Sequence, residues 1–236
     1  MIVACALRRG GVYDIQYVRE LARGVARHLP VPYRFVCLTD FPFDAFADMP
    51  GVLVYPLEFD WPGWWAKIEL FKLYDADGVI CFDLDTVIVG NLMPLVDAVR
   101  KERRLITLRE LGGALRSQTA IIAWAGTCDW PIVTFPAVLE KDKNKVRFEH
   151  HTRSGSWALI ANGVKTRGDG EWLHASIRAR NEPIAFVQDI IPNQVFSYKW
   201  YVRRNGLPQS AAIVCFHGLP RPHELQPRPA WLWPER

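Results

Sequence analysis

Two aspartates separated by one residue have the clearest potential for chemistry in this sequence. Asp83 and Asp85 directly follow the apolar run 79–82. Because side chains alternate along a strand, both carboxylates project to the same side and Leu84 points into the packing. Neighbouring carboxylates do not both ionise cheaply, so the pair requires a bound cation, a shared proton or a basic partner, and oxygen ligands favour Mn²⁺ or Mg²⁺. The simpler alternative is a pair of aspartates that cap a loop.

A histidine at the end of a second apolar run is the next candidate. His217 follows the run 212–216, and Gly218 behind it lets the backbone approach a ligand closely. A neutral imidazole is a good third ligand beside two carboxylates, and the planar fork of Arg221 suits a diphosphate. Alone, His217 would more often be a structural residue. Together with the Asp-x-Asp pair it is predicted to hold a metal.

The elements around these residues predict an α/β fold with an open, mostly parallel sheet. The first half reads as strands over 2–7, 34–39, 52–57 and 79–82, with helices over 17–29 and 65–74. Apolar runs without alternation suit parallel strands that are covered on both faces. Ligands of such sheets bind beyond the carboxyl ends of the strands, which is where the two aspartates stand.

The second half is less regular. Strands are expected over 105–109 and 119–124, and helices over 130–139 and 171–178. The polar, basic segment 141–154 is interpreted as a loop, either a mobile cover for the site or a solvated surface loop. From residue 219 the chain is rich in proline and tryptophan and is expected to be extended and pinned by its indoles.

Composition limits the possible classes of protein. The chain has 236 residues, half of them hydrophobic and 23% charged, which fits one folded domain and excludes disorder. Apolar runs are strand-sized, so no transmembrane segment is expected, and the start lacks the features of a secretory signal, which predicts a cytoplasmic location. Five widely spaced cysteines are expected to be buried thiols. A net charge of +4 assists an anionic ligand without indicating nucleic acid.

Several segments in a specific order carry a resemblance to a known family. They are the opening strand with Tyr17-Val18, the stretches 35–40 and 64–71, Asp83-Leu84-Asp85, 168–173, Ser197-Tyr198-Lys199 and His217-Gly218. Together they resemble glycosyltransferase family eight, that of glycogenin and the lipopolysaccharide galactosyltransferases, with its bacterial and phage relatives. The resemblance implies a GT-A-type nucleotide-sugar-binding fold, Mn²⁺ (or Mg²⁺), a UDP-sugar donor and retention of configuration. It places the enzyme in the cytoplasm of a bacterium, or of the host if a phage encodes it.

The resemblance also implies roles for individual residues. The metal ligands would be Asp83, Asp85 and His217. The donor-binding residues would be Ala4, Cys5, Ala6, Asp40, Lys67, Asp83, Leu84, Gly218 and Arg221. Of these, Ala4 to Ala6 and Asp40 would lie near the nucleoside, Lys67 near the sugar or diphosphate, and Arg221 where the family commonly has a lysine. Two of these roles have equally simple alternatives. Lys67 would be a solvated charge on its helix, and Asp40 would cap a turn.

The sequence departs from the family at the expected catalytic position. An aspartate followed by glutamine is frequent there, whereas this chain has Asp169-Gly170-Glu171. Asp169 or Glu171 is therefore predicted to be catalytic, unless the acceptor does this work itself or the segment only caps a helix. We divide a single domain, 1–236, into a nucleotide-sugar-binding half (1–125), an acceptor-side half (126–218) and the tail (219–236).

Other functions remain open from the sequence. Asp83-Leu84-Asp85-Thr86 also matches the nucleophile strand of haloacid-dehalogenase-type phosphatases, and Gly170 is compatible with a degenerate sugar-nucleotide-binding protein. The acceptor is a glycan or another hydroxyl compound. Hydroxymethylated bases of phage DNA are a further possibility, because the basic segment 141–154 and Arg203-Arg204 would track phosphates. Abundant tryptophans would stack on sugars or bases, although most such residues belong to cores.

Overall fold

A computed structural model describes residues 1–112, 116–136, 140, 142–151 and 156–233. The strands are β1 (Ile2–Leu7), β2 (Arg34–Thr39), β3 (Val52–Pro56), β4 (Asp75–Phe82), β5 (Thr86–Ile88), β6 (Leu105–Arg109), β7 (Ser117–Gly126), β8 (Val146–His151), β9 (Ser156–Ala161), β10 (Val164–Thr166), β11 (Ile184–Phe186), β12 (Val195–Ser197) and β13 (Ile213–Cys215). The α-helices are α1 (Ile15–His28), α2 (Met93–Lys101), α3 (Trp130–Val133), α4 (Asp169–Arg180), α5 (Val187–Ile190) and α6 (Arg203–Asn205). Segments Phe43–Phe46, Gly63–Lys72 and Pro222–Glu224 are 3₁₀-helical, and Tyr198–Val202 forms a π-helical turn.

The central sheet has seven strands in the order β11-β6-β7-β4-β1-β2-β3. Strand β7 runs antiparallel to its neighbours β4 and β6, and the other neighbouring pairs are parallel. The predicted α/β fold with a mostly parallel sheet is therefore confirmed. Since β4 and β1 are parallel, their carboxyl ends meet at one edge of the sheet, beside the start of β7.

Side chains alternate between the two faces of the central strands, so the sheet has a separate hydrophobic core on each face. In β1, Val3, Cys5 and Leu7 are buried against the face that α1 and α2 cover, whereas Ile2 and Ala4 are buried against the opposite face. Full burial of one large apolar side chain contributes about 1.5–3 kcal/mol, so covering both faces is a major source of stability.

Helix α1 shows why the prediction from periodicity succeeded. Its apolar residues Val18, Leu21 and Val25 are buried along one stripe. The Asp14 side chain accepts a hydrogen bond from the Gln16 N–H at 3.0 Å and caps the first turn. The helix spans Ile15–His28, close to the predicted 17–29.

A small sheet, β12-β13-β5, brings two distant candidates to one place. Strand β13 runs antiparallel to β5 and pairs Cys215 with Thr86. One step further, the N–H of Phe216 donates to the backbone carbonyl of Asp85 at 3.2 Å. The backbone at His217 therefore lies beside the Asp-x-Asp segment.

Two predicted helices differ from the observed ones. The segment predicted as a helix over 65–74 is a 3₁₀ helix, Gly63–Lys72, in which Trp65, Ile68 and Phe71 recur every third residue and are all buried. A spacing of three matches the 3₁₀ period, in which such side chains align along one face. The helix predicted over 130–139 is shorter, with α3 at Trp130–Val133, and positions 137–139 lie outside the described residues.

The predicted loop over 141–154 is wrong for its central part. Residues Val146–His151 form β8, which pairs antiparallel with β9, whereas 141 and 152–154 lie outside the described residues. Val146 is buried and Arg147 is exposed, so the segment begins with an apolar–polar alternation that its many charges concealed.

The remaining structural expectations concern the tail, the cysteines and the membrane. Trp233 packs edge-on against Tyr17, with ring centroids 5.1 Å apart, and Leu232 is buried, so the described tail is pinned by apolar contacts as predicted. All five cysteines are buried free thiols, which is also confirmed. Within the described ranges, no helix is long and apolar enough to cross a bilayer.

Candidate functional site

A cavity of about 1470 Å³ opens at the carboxyl edge of the central sheet. Its walls come from the ends of β1, β4 and β13, the start of β7 and the first turn of α4. Strands β8 and β9 close another side. Pockets for a single small molecule usually measure roughly 300–1,000 Å³, so this cavity has room for two substrates side by side.

A buried lysine joins two carboxylates at the floor of the cavity. Lys67 Nζ donates to Asp83 Oδ1 at 2.5 Å and lies 2.9 Å from Asp169 Oδ2 in an ion pair that lacks the direction of a good hydrogen bond. The ammonium also donates to Thr119 Oγ1 at 3.0 Å. Burial alone would lower the pKa of Lys67, but Asp169 and Asp83 outweigh burial and raise it. Lys67 is therefore a fixed cation.

Carboxyl groups outnumber cationic side chains in this cluster. Asp85 is buried beside Asp83, and within the described part of the chain Lys67 is the one cationic side chain in ion-pair contact with Asp83, Asp85 or Asp169. Burial first, and then the neighbouring Asp83, raise the pKa of Asp85 to about 7. Burial likewise raises the pKa of Asp83, against the opposing effect of Lys67. The carboxylates thus need more positive charge than the protein supplies.

A tyrosine near the N-terminus holds the second carboxylate. The hydroxyl of Tyr13 donates to Asp85 Oδ2 at 2.6 Å, and burial raises the pKa of Tyr13, so the hydroxyl keeps its proton. The ring of Tyr13 packs against Tyr17 with centroids 4.7 Å apart, and the Tyr17 hydroxyl contacts His223 Nδ1. The position of Asp85 is therefore coupled to helix α1 and to the tail.

The predicted third ligand, His217, lies on the wall of the same cavity and turns one nitrogen to a serine. Its Nε2 is 2.6 Å from Ser197 Oγ, which also accepts the N–H of Trp200 at 3.0 Å. Burial first, and then Lys199, lower the pKa of His217, which favours the neutral ring. A hydroxyl oxygen has two lone pairs, so Ser197 can accept hydrogen bonds from His217 Nε2 and from the N–H of Trp200. His217 Nδ1 is then free to act as a ligand.

The structure brings most of the predicted site residues to one cavity. Those on its walls are Ala6, Lys67, Asp83, Leu84, Asp85, Asp169, His217, Gly218 and Arg221. Ala4 and Cys5 are buried within β1 and do not line it. Asp40 stands behind the wall, where it accepts the N–H of Arg9 at 2.7 Å and pairs with Arg8 at 3.1 Å.

The second predicted catalytic carboxylate has a different environment. Glu171 does not line the cavity, and its side chain accepts the N–H of Arg167 at 2.7 Å, just before helix α4. This contact anchors the helix start. Between the two candidates, the structure brings Asp169 to the lysine cluster and leaves Glu171 outside it.

Sequence reasoning missed several residues of the cavity wall. They include Tyr13, Gln118 and Thr119. Gln118 is notable because its Oε1 is buried and has no hydrogen-bond partner among the described residues. The start of β7 lies at the same sheet edge as the end of β4 because the two strands are antiparallel, and this relation was the available signal for Gln118 and Thr119.

No three side chains of His, Cys, Asp or Glu converge on a common point within the described ranges. Asp83 is directed to Lys67, Asp85 to Tyr13 and His217 to Ser197. The predicted ligands therefore share a cavity wall without forming a compact cluster in this arrangement.

The sequence and the fold were each compared with those of known proteins. No protein-family profile matches the sequence, and no curated protein does. Several solved glycosyltransferases have a similar structure. The galactosyltransferase LgtC, solved with donor and acceptor sugar analogues, has a TM-score of 0.63 at 12% identity, covering 99% of this chain and 92% of that one. GlyE of Streptococcus pneumoniae TIGR4 has a TM-score of 0.62 at 14% identity, over 98% of this chain and 58% of that one. This chain has the GT-A glycosyltransferase fold.

The match extends to longer proteins. The bifunctional glycosyltransferase WbbM has a TM-score of 0.58 at 11% identity, covering 97% of this chain and 48% of that one. The chain therefore spans little more than half of GlyE and about half of WbbM, and both proteins contain further regions outside the shared fold.

Proposed function

We propose that this chain is a metal-dependent, retaining glycosyltransferase that moves a sugar from a UDP-sugar to an acceptor hydroxyl. The observation that carries the proposal is the Lys67–Asp83–Asp169 cluster, set beside Asp85 and His217 in the main cavity of a GT-A fold. Residues 1–125 would hold most of the donor, and 126–218 would face the acceptor. UDP, rather than another nucleotide, is proposed from the resemblance of the sequence motifs.

The residues fit a divalent cation by their chemistry. Asp83 and Asp85 offer oxygen ligands whose pKa is raised by burial, so a bound cation would stabilise their charged forms, and His217 offers a neutral nitrogen. When bound, Mn²⁺ or Mg²⁺ would neutralise the diphosphate of the donor. Tyr13 and Ser197 would fix the orientation of Asp85 and His217, as outer hydrogen bonds do for metal ligands in general.

The chain's own residues account for the remaining chemistry. As the bond between the sugar's reactive carbon and the phosphate oxygen breaks, Lys67 and Arg221 would offset charge on the departing diphosphate. The Asp169 carboxylate, held by Lys67, would stabilise positive charge on the sugar. The acceptor oxygen would bond to that carbon on the face the phosphate leaves, and its proton would pass to the phosphate oxygen.

We expect metal-dependent release of UDP when the chain is incubated with a panel of UDP-sugars. Release is measured first without acceptor and then with a panel of carbohydrates, each with Mn²⁺ or Mg²⁺ and with EDTA. EDTA should abolish it because the diphosphate loses its neutralising cation. UDP-sugars that release nothing under any condition, together with hydrolysis of a generic aryl phosphate, would instead support the phosphatase alternative.

We further propose that Gln118 positions the donor sugar. Its buried Oε1 lacks a donor among the described residues, and it stands next to Thr119 in the Lys67 cluster. A sugar hydroxyl would supply the missing hydrogen bond. A Cβ atom placed on Gly170 would lie 3.7 Å from Gln118 Cα, an ordinary van der Waals distance, so the first turn of α4 packs directly beside Gln118.

Replacement of Gln118 by methionine should lower the rate of UDP release roughly 10- to 100-fold, since one polar contact to the sugar is lost. The free energy of unfolding should stay equal or rise, because the variant removes a buried acceptor that has no partner. Rates and urea unfolding are compared with Gln209→Met, a change at an exposed glutamine. A Gln118 variant that loses stability but retains the parent rate would assign this residue to packing.

A further inference from the structure

The tryptophans fall into groups that the sequence could not separate. Trp61, Trp65 and Trp172 are buried in the core beneath the central sheet. Trp64 is different, because it lines the main cavity and is 38% exposed, whereas Trp61 borders the same cavity but is only 5% exposed. Trp157 of β9 lines the same cavity and is half-buried. An indole on a cavity wall beside buried polar groups is available to a ligand, whereas the core indoles are not.

A glycine brings the backbone just before Trp64 against the ring of Trp157. Gly63 adopts a φ of +55°, in the left-handed region, at the start of the 3₁₀ helix that carries Trp64. A Cβ atom at Gly63 would lie 3.2 Å from Trp157 Cδ1, so the backbone approaches the Trp157 ring closely. His150 of β8 extends the surface, since its ring centroid is 4.7 Å from that of Trp157. Trp64, Trp157 and His150 form what we term the aromatic wall.

The aromatic wall is adjacent to the proposed reaction centre. A Cβ atom on Gly168 would lie 3.6 Å from Trp64 Nε1, and the next residue is Asp169 of the lysine cluster. The 3₁₀ helix that begins at Gly63 also carries Lys67. One short segment therefore supplies both the cation of the centre and an indole at its side.

The chemistry of the wall favours a sugar ring. A pyranose has faces made of C–H bonds, which pack on aromatic rings, and an edge of hydroxyl groups that need hydrogen bonds. The ring of Trp64 offers the apolar surface, while His150, Arg147 and Lys143 on the same cavity wall offer donors for the hydroxyls. Arg147 forms an ion pair with Glu149 at 2.9 Å, so the positive charge on this side of the cavity is partly balanced.

We infer that the aromatic wall is the acceptor subsite and that the acceptor is a carbohydrate whose pyranose ring stacks on Trp64 and Trp157. The inference rests on the proposed function, since it assigns the second substrate of the same cavity. It selects a glycan over the hydroxymethylated DNA considered from the sequence. The basic segment behind that idea is described over 142–151, and its strand β8 contributes His150 to the wall.

The test measures sugar binding directly. Saturation-transfer NMR is recorded on the full chain with diamagnetic Mg²⁺ and UDP, against a panel of uncharged methyl hexopyranosides. At least one glycoside should bind through its ring C–H protons. Trp64→Ala should raise the dissociation constant of that glycoside about tenfold, a ratio that corresponds to about 1.4 kcal/mol. Trp64→Phe should restore most of the affinity because it keeps an aromatic face.

Controls separate this inference from the proposed function. Tyr74→Ala removes an aromatic ring that is 60% exposed, follows the same 3₁₀ helix and does not line the cavity, so it should bind the glycoside as the parent does. Trp157→Ala, which also removes an aromatic face from the wall, is a second wall variant in case Trp64→Ala folds poorly. Absence of glycoside binding, or affinity unchanged in both wall variants, overturns the inference. A parent chain that binds glycosides but releases no UDP from any UDP-sugar contradicts the proposed function instead.

Discussion

Asp85→Asn should reduce UDP release from the preferred UDP-sugar by roughly 10³-fold or more. The amide still accepts a hydrogen bond from Tyr13, but it removes a negative charge and an anionic oxygen from the proposed metal site. The same change at Asp83 should have a similar effect. The measurement is the initial rate across a range of Mn²⁺ concentrations, because a weakened site is partly rescued by excess metal.

The stability of this variant distinguishes a lost ligand from a lost fold. In EDTA the pKa of the buried Asp85 carboxyl is raised from 3.8 to about 7, so its contribution lowers the free energy of unfolding across that pH range, and the full penalty is present at pH 8. Asparagine does not ionise, and the free energy of unfolding at pH 8 in EDTA should therefore be at least that of the parent. Asp97→Asn, on the exposed face of α2, is the matched control and should retain parent activity. Parent activity in Asp85→Asn would refute the metal role.

The location of the site at the carboxyl edge of the sheet was predictable because two local rules agreed. An apolar run without alternation predicts a central strand, and parallel strands bind ligands at their carboxyl ends. Asp83 and Asp85 follow such a run, so their location followed from the sequence. Strands β1, β2 and β6 were predicted with their observed bounds for the same reason, since each is a short apolar run between polar segments.

The contacts within the site were not predictable, because they join residues that are distant in sequence. Asp169 opens a helix, and nothing in its neighbourhood indicates that its carboxylate meets Lys67. The hydrogen bond from Tyr13 to Asp85 also depends on how α1 docks against β5. The buried, unpartnered oxygen of Gln118 is a property of the packed structure, and no sequence pattern reports it.

The wrongly predicted elements share a physical cause. In each, the charges or the apolar spacing of the sequence resembled those of a different kind of element. Strand β8 carries Arg147 and Glu149, and its charges suggested a loop although they form an ion pair on the strand. The segment Gly63–Lys72 has an apolar period of three, and it was interpreted as an α-helix, whose period is 3.6. The correction matters for function, because this segment presents Lys67 and Trp64 to the cavity.

Lys67→Met should lower both stability and activity, by about 3–5 kcal/mol in the free energy of unfolding and roughly 10²-fold or more in the rate of UDP release. The variant leaves Asp83 and Asp169 without their cation in a buried site, and breaking a buried pair from one side has a cost of this size. Lys165→Met is the control in an exposed ion pair. Lys165 and its partner Glu149 have side chains that are 43% and 38% exposed, so its loss should change stability by less than about 1 kcal/mol.

The pH dependence of this variant tests whether the unpaired carboxylates cause its instability. Burial already raises the pKa of Asp83, and loss of Lys67 should raise it further, because the lysine acts against that shift. Protonation of Asp83 then removes the unpaired charge as the pH falls, so the stability difference between parent and variant should be largest near pH 8 and smaller near pH 5. Urea unfolding at both values measures it. A difference that stays constant with pH would mean that Lys67 contributes through packing of its aliphatic chain, and the charge balance on which the proposed cation site depends would then lose its main support.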